Sequence, residues 1–78
     1  MGSLPESGPV LVTGATGFVG RNLCPYLAEK GHRVRALVRR TSDHGFLDAL
    51  GVEKAWGDLR DPASVTAAAE GCRAVIHA

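Results

Sequence analysis

Short apolar runs alternate along the chain with stretches whose apolar residues recur every three or four positions. Val10-Leu11-Val12-Thr13 is apolar almost throughout, as a strand covered on both faces should be. From Phe18 to Lys30 the spacing turns helical. Val19, Leu23 and Leu27 recur every four residues and predict a buried stripe. Gly31 stops this helix, and Lys30 sits in its last turn. Pro25 lies past the first turn and removes the bond to the Arg21 carbonyl, which predicts a bend between the two. Arg33 to Val38 is a second strand. Phe46, Leu47 and Leu50 predict a short helix over Asp43 to Leu50, with Ser42 as its N-cap, Gly51 as its stop and Gly45 as a weak point. Val52 to Trp56 is a third strand. Asp61 as N-cap and Pro62 at the first helical position start a helix that runs to Glu70 and ends at Gly71. Ala74 to His77 is a fourth strand.

Strands alternating with helices across short loops argue for an α/β fold with a parallel sheet. Right-handed crossovers place the first two helices on one face and the third on the other, with sheet order 3-2-1-4. A ligand crevice is then expected at the carboxyl ends of strands one and four, where the order reverses.

The first strand runs directly into Thr13-Gly14-Ala15-Thr16-Gly17-Phe18-Val19-Gly20. Each glycine has its own task in a phosphate-binding turn. Gly14 turns the chain off the strand, Gly17 lets the backbone approach an anion, and Gly20 brings the helix close against the strand. The start of the helix offers free N–H groups and the positive end of a dipole. Thr13 and Thr16 are expected to add hydroxyl donors beside it. The end of the second strand carries Arg39 and Arg40 where an NAD binder usually has an acid; the next acid is Asp43. A guanidinium pairs with a 2′-phosphate through a fork of donors, and an acid would repel it. NADP is therefore the expected cofactor, with NAD as the alternative.

The Gly-x-x-Gly-x-x-Gly string resembles the signature of extended short-chain dehydrogenase/reductases. The strings V-R-A-L-V-R-R-T-S-D and G-D-L-R-D-P-A-S-V resemble the NAD-dependent epimerase/dehydratase family, its dihydroflavonol-4-reductase-like and hopanoid-associated sugar epimerase-like members above all. The resemblance covers residues 10–78 and implies the first half of a three-layer, doubly wound Rossmann-type fold. It implies that Asp58 takes the exocyclic amine of adenine and that Leu59 covers the ring. It also implies that the backbone of His77 and Ala78, in a V-x-H-x-A-like ending, lines the ribose next to nicotinamide. The activity implied is hydride transfer to or from a carbinol or ketone, on a nucleotide sugar or a dihydroflavonol-like substrate. The alternatives are a dinucleotide sensor without catalysis and an inactive structural piece.

Composition narrows the picture further. The chain has 78 residues and a net charge of +1, which gives no electrostatic case for nucleic acid or for an acidic membrane surface. No apolar run approaches the ~20 residues of a membrane span. At this length a single core is near its lower limit of ~70–80 residues. The chain reads as the amino-terminal part of a longer enzyme, with a loose tail over residues 1–9 and its substrate domain elsewhere. An uncovered fourth strand predicts self-association, hence a homo-oligomer. Cys24 and Cys72 fit no metal spacing and read as small buried thiols of a reducing, cytoplasmic compartment. His32 and His44 read as exposed loop residues, and the three histidines have no metal spacing.

Tyr26 and Lys30 match Tyr-x-x-x-Lys, a proton-transfer pattern of the superfamily. Tyr26 lies about 13 Å along the helix axis from Gly17, away from the phosphate turn. The family's pair lies on a later helix, beyond strand four. No catalytic residue is therefore assigned.

Overall fold

A computed structural model describes residues 8–78. Seven elements follow in order: β1 (Val10–Thr13), α1 (Phe18–Glu29), β2 (Val34–Val38), α2 (Gly45–Leu50), β3 (Glu53–Trp56), α3 (Pro62–Ala69) and β4 (Ala74–His77). All four strands are parallel, in the order β3-β2-β1-β4. Val10 pairs with both Val34 and Ala74, so β1 is the central rail from which both neighbours take their register.

Alternation along the strands divides the core in two. Val10, Val12, Val34, Ala36 and Val38 pack with Cys24 and Leu27 of α1 and Leu47 of α2. Leu11 and Leu37 point the other way, onto Ala68 of α3 and Cys72. The two helices expected together thus share one face, and α3 covers the other. The two thiols are buried in different layers. Burial raises the Cys24 thiol above its ordinary pKa.

Several local expectations change. The buried stripe of α1 is Gly20, Cys24 and Leu27, with Leu23 partly covered, whereas Val19 is 56% exposed. Gly20 turns this stripe: its missing side chain lets the helix lie directly on the Gly14–Ala15 backbone. Val19, one residue away on the helix, is thereby carried outward. α1 keeps Pro25 inside its span and ends at Glu29, with Lys30 as its C-cap rather than in its last turn. α2 begins at Gly45 rather than Asp43, and its N-cap is His44, not Ser42. Asp43 instead uses its carboxylate locally, accepting the Gly45 N–H at 3.2 Å. Asp61 occupies the N-cap of α3 but makes no side-chain capping bond. Its carbonyl accepts the Ser64 N–H and hydroxyl, at 3.0 and 2.8 Å.

The expected loose tail lies outside the described residues up to position 7. Pro9, however, is buried, and its carbonyl accepts the Arg73 N–H at 2.8 Å. His44 is no free loop residue either. Its Nδ1 lies 3.0 Å from Asp48, and its ring meets Trp56 edge-on. No helix among the described residues is long and apolar enough to cross a membrane.

Candidate functional site

The three glycines of the first turn are needed for different physical reasons. Gly14 has φ +69°, and a Cβ there would sit 2.5 Å from the Ala78 carbonyl oxygen. A Cβ on Gly20 would overlap the Gly14 carbonyl and the Ala15 backbone. Gly17 differs: the nearest atom to its Cβ would be the Gly14 oxygen at 3.4 Å. The first and last glycines therefore hold the loop in shape, while the middle one leaves open space over the helix start. Gly17 is the N-cap of α1, and its own N–H is taken by Gly14 at 3.0 Å. Phe18 and Val19 open the helix, so their N–H groups have no acceptor within it. Ala15 as a whole is buried, at 1% exposure.

Thr13 does not serve as expected. Its side chain is 1% exposed, and its hydroxyl lies 2.7 Å from Nδ1 of His77. That bond joins the ends of β1 and β4, as does the 3.0 Å bond from the Ala78 N–H to the Thr13 carbonyl. His77 and Ala78 are thus brought beside the glycine turn. The Arg21 side chain, given no role from the sequence, braces the turn from outside. It donates to the Thr16 carbonyl at 3.0 Å, and its guanidinium lies 4.6 Å from the Phe46 ring centroid.

A recess of about 240 Å³ opens beyond the carboxyl ends of β1, β2 and β3. Gly14 and Thr16 form one wall, Val38, Arg39 and Ser42 a second, and Gly57, Asp58 and Leu59 a third. Five residues singled out in the sequence therefore meet here: Gly14, Thr16, Arg39, Asp58 and Leu59. The crevice lies on the β1–β3 side of the order reversal; His77 and Ala78 flank it and do not line it. Phe18 and Val19 face away, into an apolar hollow on the outside of α1 with Tyr26. Lys30 Nζ lies 5.6 Å from the Tyr26 ring centroid, and neither residue reaches the recess.

The two arginines after β2 are not equivalent. The Arg40 guanidinium lies over the Trp56 ring, 4.5 Å from its centroid. The Arg39 guanidinium makes no hydrogen bond or salt bridge among the described residues, though its charge acts on Asp58, and it borders both this recess and a wider one of about 430 Å³ next to it.

Asp58 is the most constrained acid of the site. Arg60 donates to it from its backbone at 2.9 Å, from Nε at 3.1 and 3.2 Å, and from a terminal nitrogen at 2.7 Å. These side-chain bonds, then the backbone bond, hold the Asp58 carboxyl at about 2. The Asp58 N–H donates to Ser64 Oγ at 3.0 Å. A Cβ on Gly57 would press on the Ser64 and Leu37 side chains at 2.7 and 2.8 Å, which would have to shift to admit it. Gly57, Arg60, Ser64 and Ser42 were not assigned to the site from sequence. The Gly-Asp pair after a strand was the available signal for Gly57; the other three depend on contacts through space. No group of three or more His, Cys, Asp or Glu among the described residues is placed to hold a metal.

Comparisons with known proteins agree with this geometry. The model of the NAD dependent epimerase/dehydratase family matches residues 10–78. The sterol demethylase protein B of Methylococcus capsulatus is 52% identical over 67 residues, covering 86% of this chain and 20% of that protein. The ceramide reductase of Caulobacter vibrioides is 47% identical over 70 residues, covering 90% and 22%. A short-chain dehydrogenase/reductase superfamily protein of Agrobacterium tumefaciens, solved with bound NAD, superposes with a TM-score of 0.71 at 33% identity, over 88% of this chain and 19% of that one. The chain spans about a fifth of the length of the curated relatives it matches. With a family model matched from β1 to the end of β4, this chain belongs to the NAD-dependent epimerase/dehydratase family.

Proposed function

We propose that these residues form the cofactor-holding part of an oxidoreductase or epimerase, and that the cofactor they hold is NADP(H). The dinucleotide's pyrophosphate lies over Gly17 and the free N–H groups of Phe18 and Val19, and its adenosine enters the recess between Arg39 and Asp58. The residues present fit such a group: an open middle glycine, a helix start, and a recess bordered by Gly14, Thr16, Arg39 and Asp58. When bound, the nicotinamide supplies or accepts a hydride at a carbinol or ketone carbon. A nucleotide sugar or a dihydroflavonol-like molecule is the proposed substrate class, held by a substrate domain outside residues 10–78.

One observation carries the choice of NADP. Arg39 borders the recess with its guanidinium free, beside the Ser42 wall, and the nearest acid of that loop, Asp43, is turned onto Gly45. A 2′-phosphate supplies the anion that this unpaired cation lacks. The similar Agrobacterium protein was solved with NAD, so the test compares the two nucleotides directly. Calorimetric titration of the chain should give a Kd for NADPH at least roughly tenfold below that for NADH, as one charge-assisted bond predicts. Arg39→Asp should reverse the order. A wild type that prefers NADH ends the NADP assignment and leaves the dinucleotide site standing.

A further inference from the structure

We infer that Arg60 is a positioning residue for adenine recognition: it grips the Asp58 carboxylate from one side and presents its other side to the cofactor's adenine amine. The inference rests on the reading of the recess as the adenosine pocket.

Asp58 stands on the partition between two recesses and borders both. Arg60 borders only the wider one. Its fork of nitrogens therefore meets the carboxylate from that side, at 2.7 to 3.2 Å, and reaches both oxygens. A planar guanidinium bound to both oxygens fixes the plane of the carboxylate as well as its charge. Each oxygen accepts two contacts from Arg60, its backbone N–H included, and Asp58 also borders the narrower recess, where Leu59 provides an apolar surface beside it. Ser64 fixes the backbone beneath. Its Oγ accepts the Asp58 N–H at 3.0 Å and lies 3.0 Å from the Asp58 carbonyl, within reach as a donor. Both the main chain and the side chain of Asp58 are thus set before any ligand arrives, which lowers the ordering cost of binding.

Arg60 itself is well outside the core, with its side chain 80% exposed. Its bonds to Asp58 span only two residues and tie together no separate elements. A long side chain on the surface that spends Nε and one terminal nitrogen on one carboxylate at a recess wall is better suited to orienting that carboxylate than to holding the fold.

The test uses NADPH and its hypoxanthine analogue, which carries a carbonyl where adenine has its amine. Wild-type chain should bind NADPH roughly tenfold more tightly than the analogue, because the carbonyl meets a carboxylate that cannot donate to it. Arg60→Ala should bring the two affinities within about threefold of each other, with a melting temperature lowered by no more than the loss of one exposed ion pair. Arg60→Lys keeps the charge but not the fork. It should restore overall affinity for both nucleotides and still fail to discriminate. Discrimination unchanged in both variants would overturn the inference. So would discrimination that rises in Arg60→Ala, since the guanidinium would then be competing with adenine for Asp58. Equal wild-type affinity for the two nucleotides removes the adenine contact and the inference with it. A wild type that binds neither nucleotide overturns the proposed function itself.

Discussion

The β1–α1 and β3–α3 connections border the same recess, yet they are held in shape by opposite means. The first is shaped by absence. Gly14 and Gly20 lack the atoms that would collide with the Ala78 carbonyl and with the turn's own backbone. The second is shaped by added bonds, from Arg60 to Asp58 and between Ser64 and the Asp58 and Asp61 backbone. A loop defined by exclusion fails abruptly when an atom is inserted, because backbone has nowhere to go. A loop defined by hydrogen bonds loses its members one at a time, each at modest cost.

The sharpest way to break the comparison is Gly20→Ala. Its Cβ would press on backbone rather than on a movable side chain, so a loss of about 3 kcal/mol, at the upper end of overpacking costs, is expected. Thermal denaturation measures it. Gly17→Ala should separate the two tasks of the same loop, since its Cβ meets nothing closer than 3.4 Å. Stability should fall by no more than about 1 kcal/mol at this N-cap. NADPH affinity should still drop roughly tenfold, because the methyl stands where the phosphate must come. If the two variants behave alike, the distinction between framing and binding glycines is wrong.

The next prediction tests bonded restraint on the α3 side of the sheet. Arg35 rises from the middle of β2 and donates from one terminal nitrogen to the Ala68 and Glu70 carbonyls, both at 2.7 Å, while Nε donates to Glu53 at 2.8 Å. The guanidinium thus closes the carboxyl end of α3, where the helix dipole is negative. Its side chain is 17% exposed. Arg35→Met keeps most of the packing and removes the donors, and should cost about 2 kcal/mol in urea denaturation. Ser64→Ala should cost less, about 1 kcal/mol, because water can reach the loop it leaves.

These two kinds of restraint explain what could be read from the sequence. The strand order and the division of helices between faces follow from chain alternation and crossover handedness, and both agree with the structure. The glycine turn was legible because exclusion leaves a mark at fixed spacing. The β4 boundaries, Ala74–His77, also came out as read. The failures came where a side chain's partner is distant in sequence or where one small residue redirects a helix. Thr13 looked like a free donor, but His77, 64 residues away, takes its hydroxyl. Val19 fitted a stripe of four-residue spacing, yet Gly20 lies so close to the turn that the inward face shifts by one residue. Arg60 and Arg35 were given no role, because nothing local announces what a guanidinium will reach.

The smallest effect concerns pH and follows from the Asp58 carboxyl lying at about 2 in the folded chain. The unfolded reference is near 3.9. A carboxyl depressed on folding adds stability that is fully present above the unfolded value and is lost as pH falls through the folded one. The contribution should therefore be constant from neutral pH down to about 4 and fade between about 4 and 2. Because the pair is exposed to solvent, salt should screen it further. A carbon-13 NMR titration of the Asp58 side chain measures this without relying on global unfolding. Its midpoint should sit at about 2 in wild type and climb toward about 3.9 in Arg60→Ala. A midpoint that stays low without Arg60 would assign the shift to another source, with Arg39 the other cation that acts on Asp58. The bonded loop would then owe its shape less to its own arginine than to the cation across the recess, and the contrast with the glycine turn would weaken accordingly.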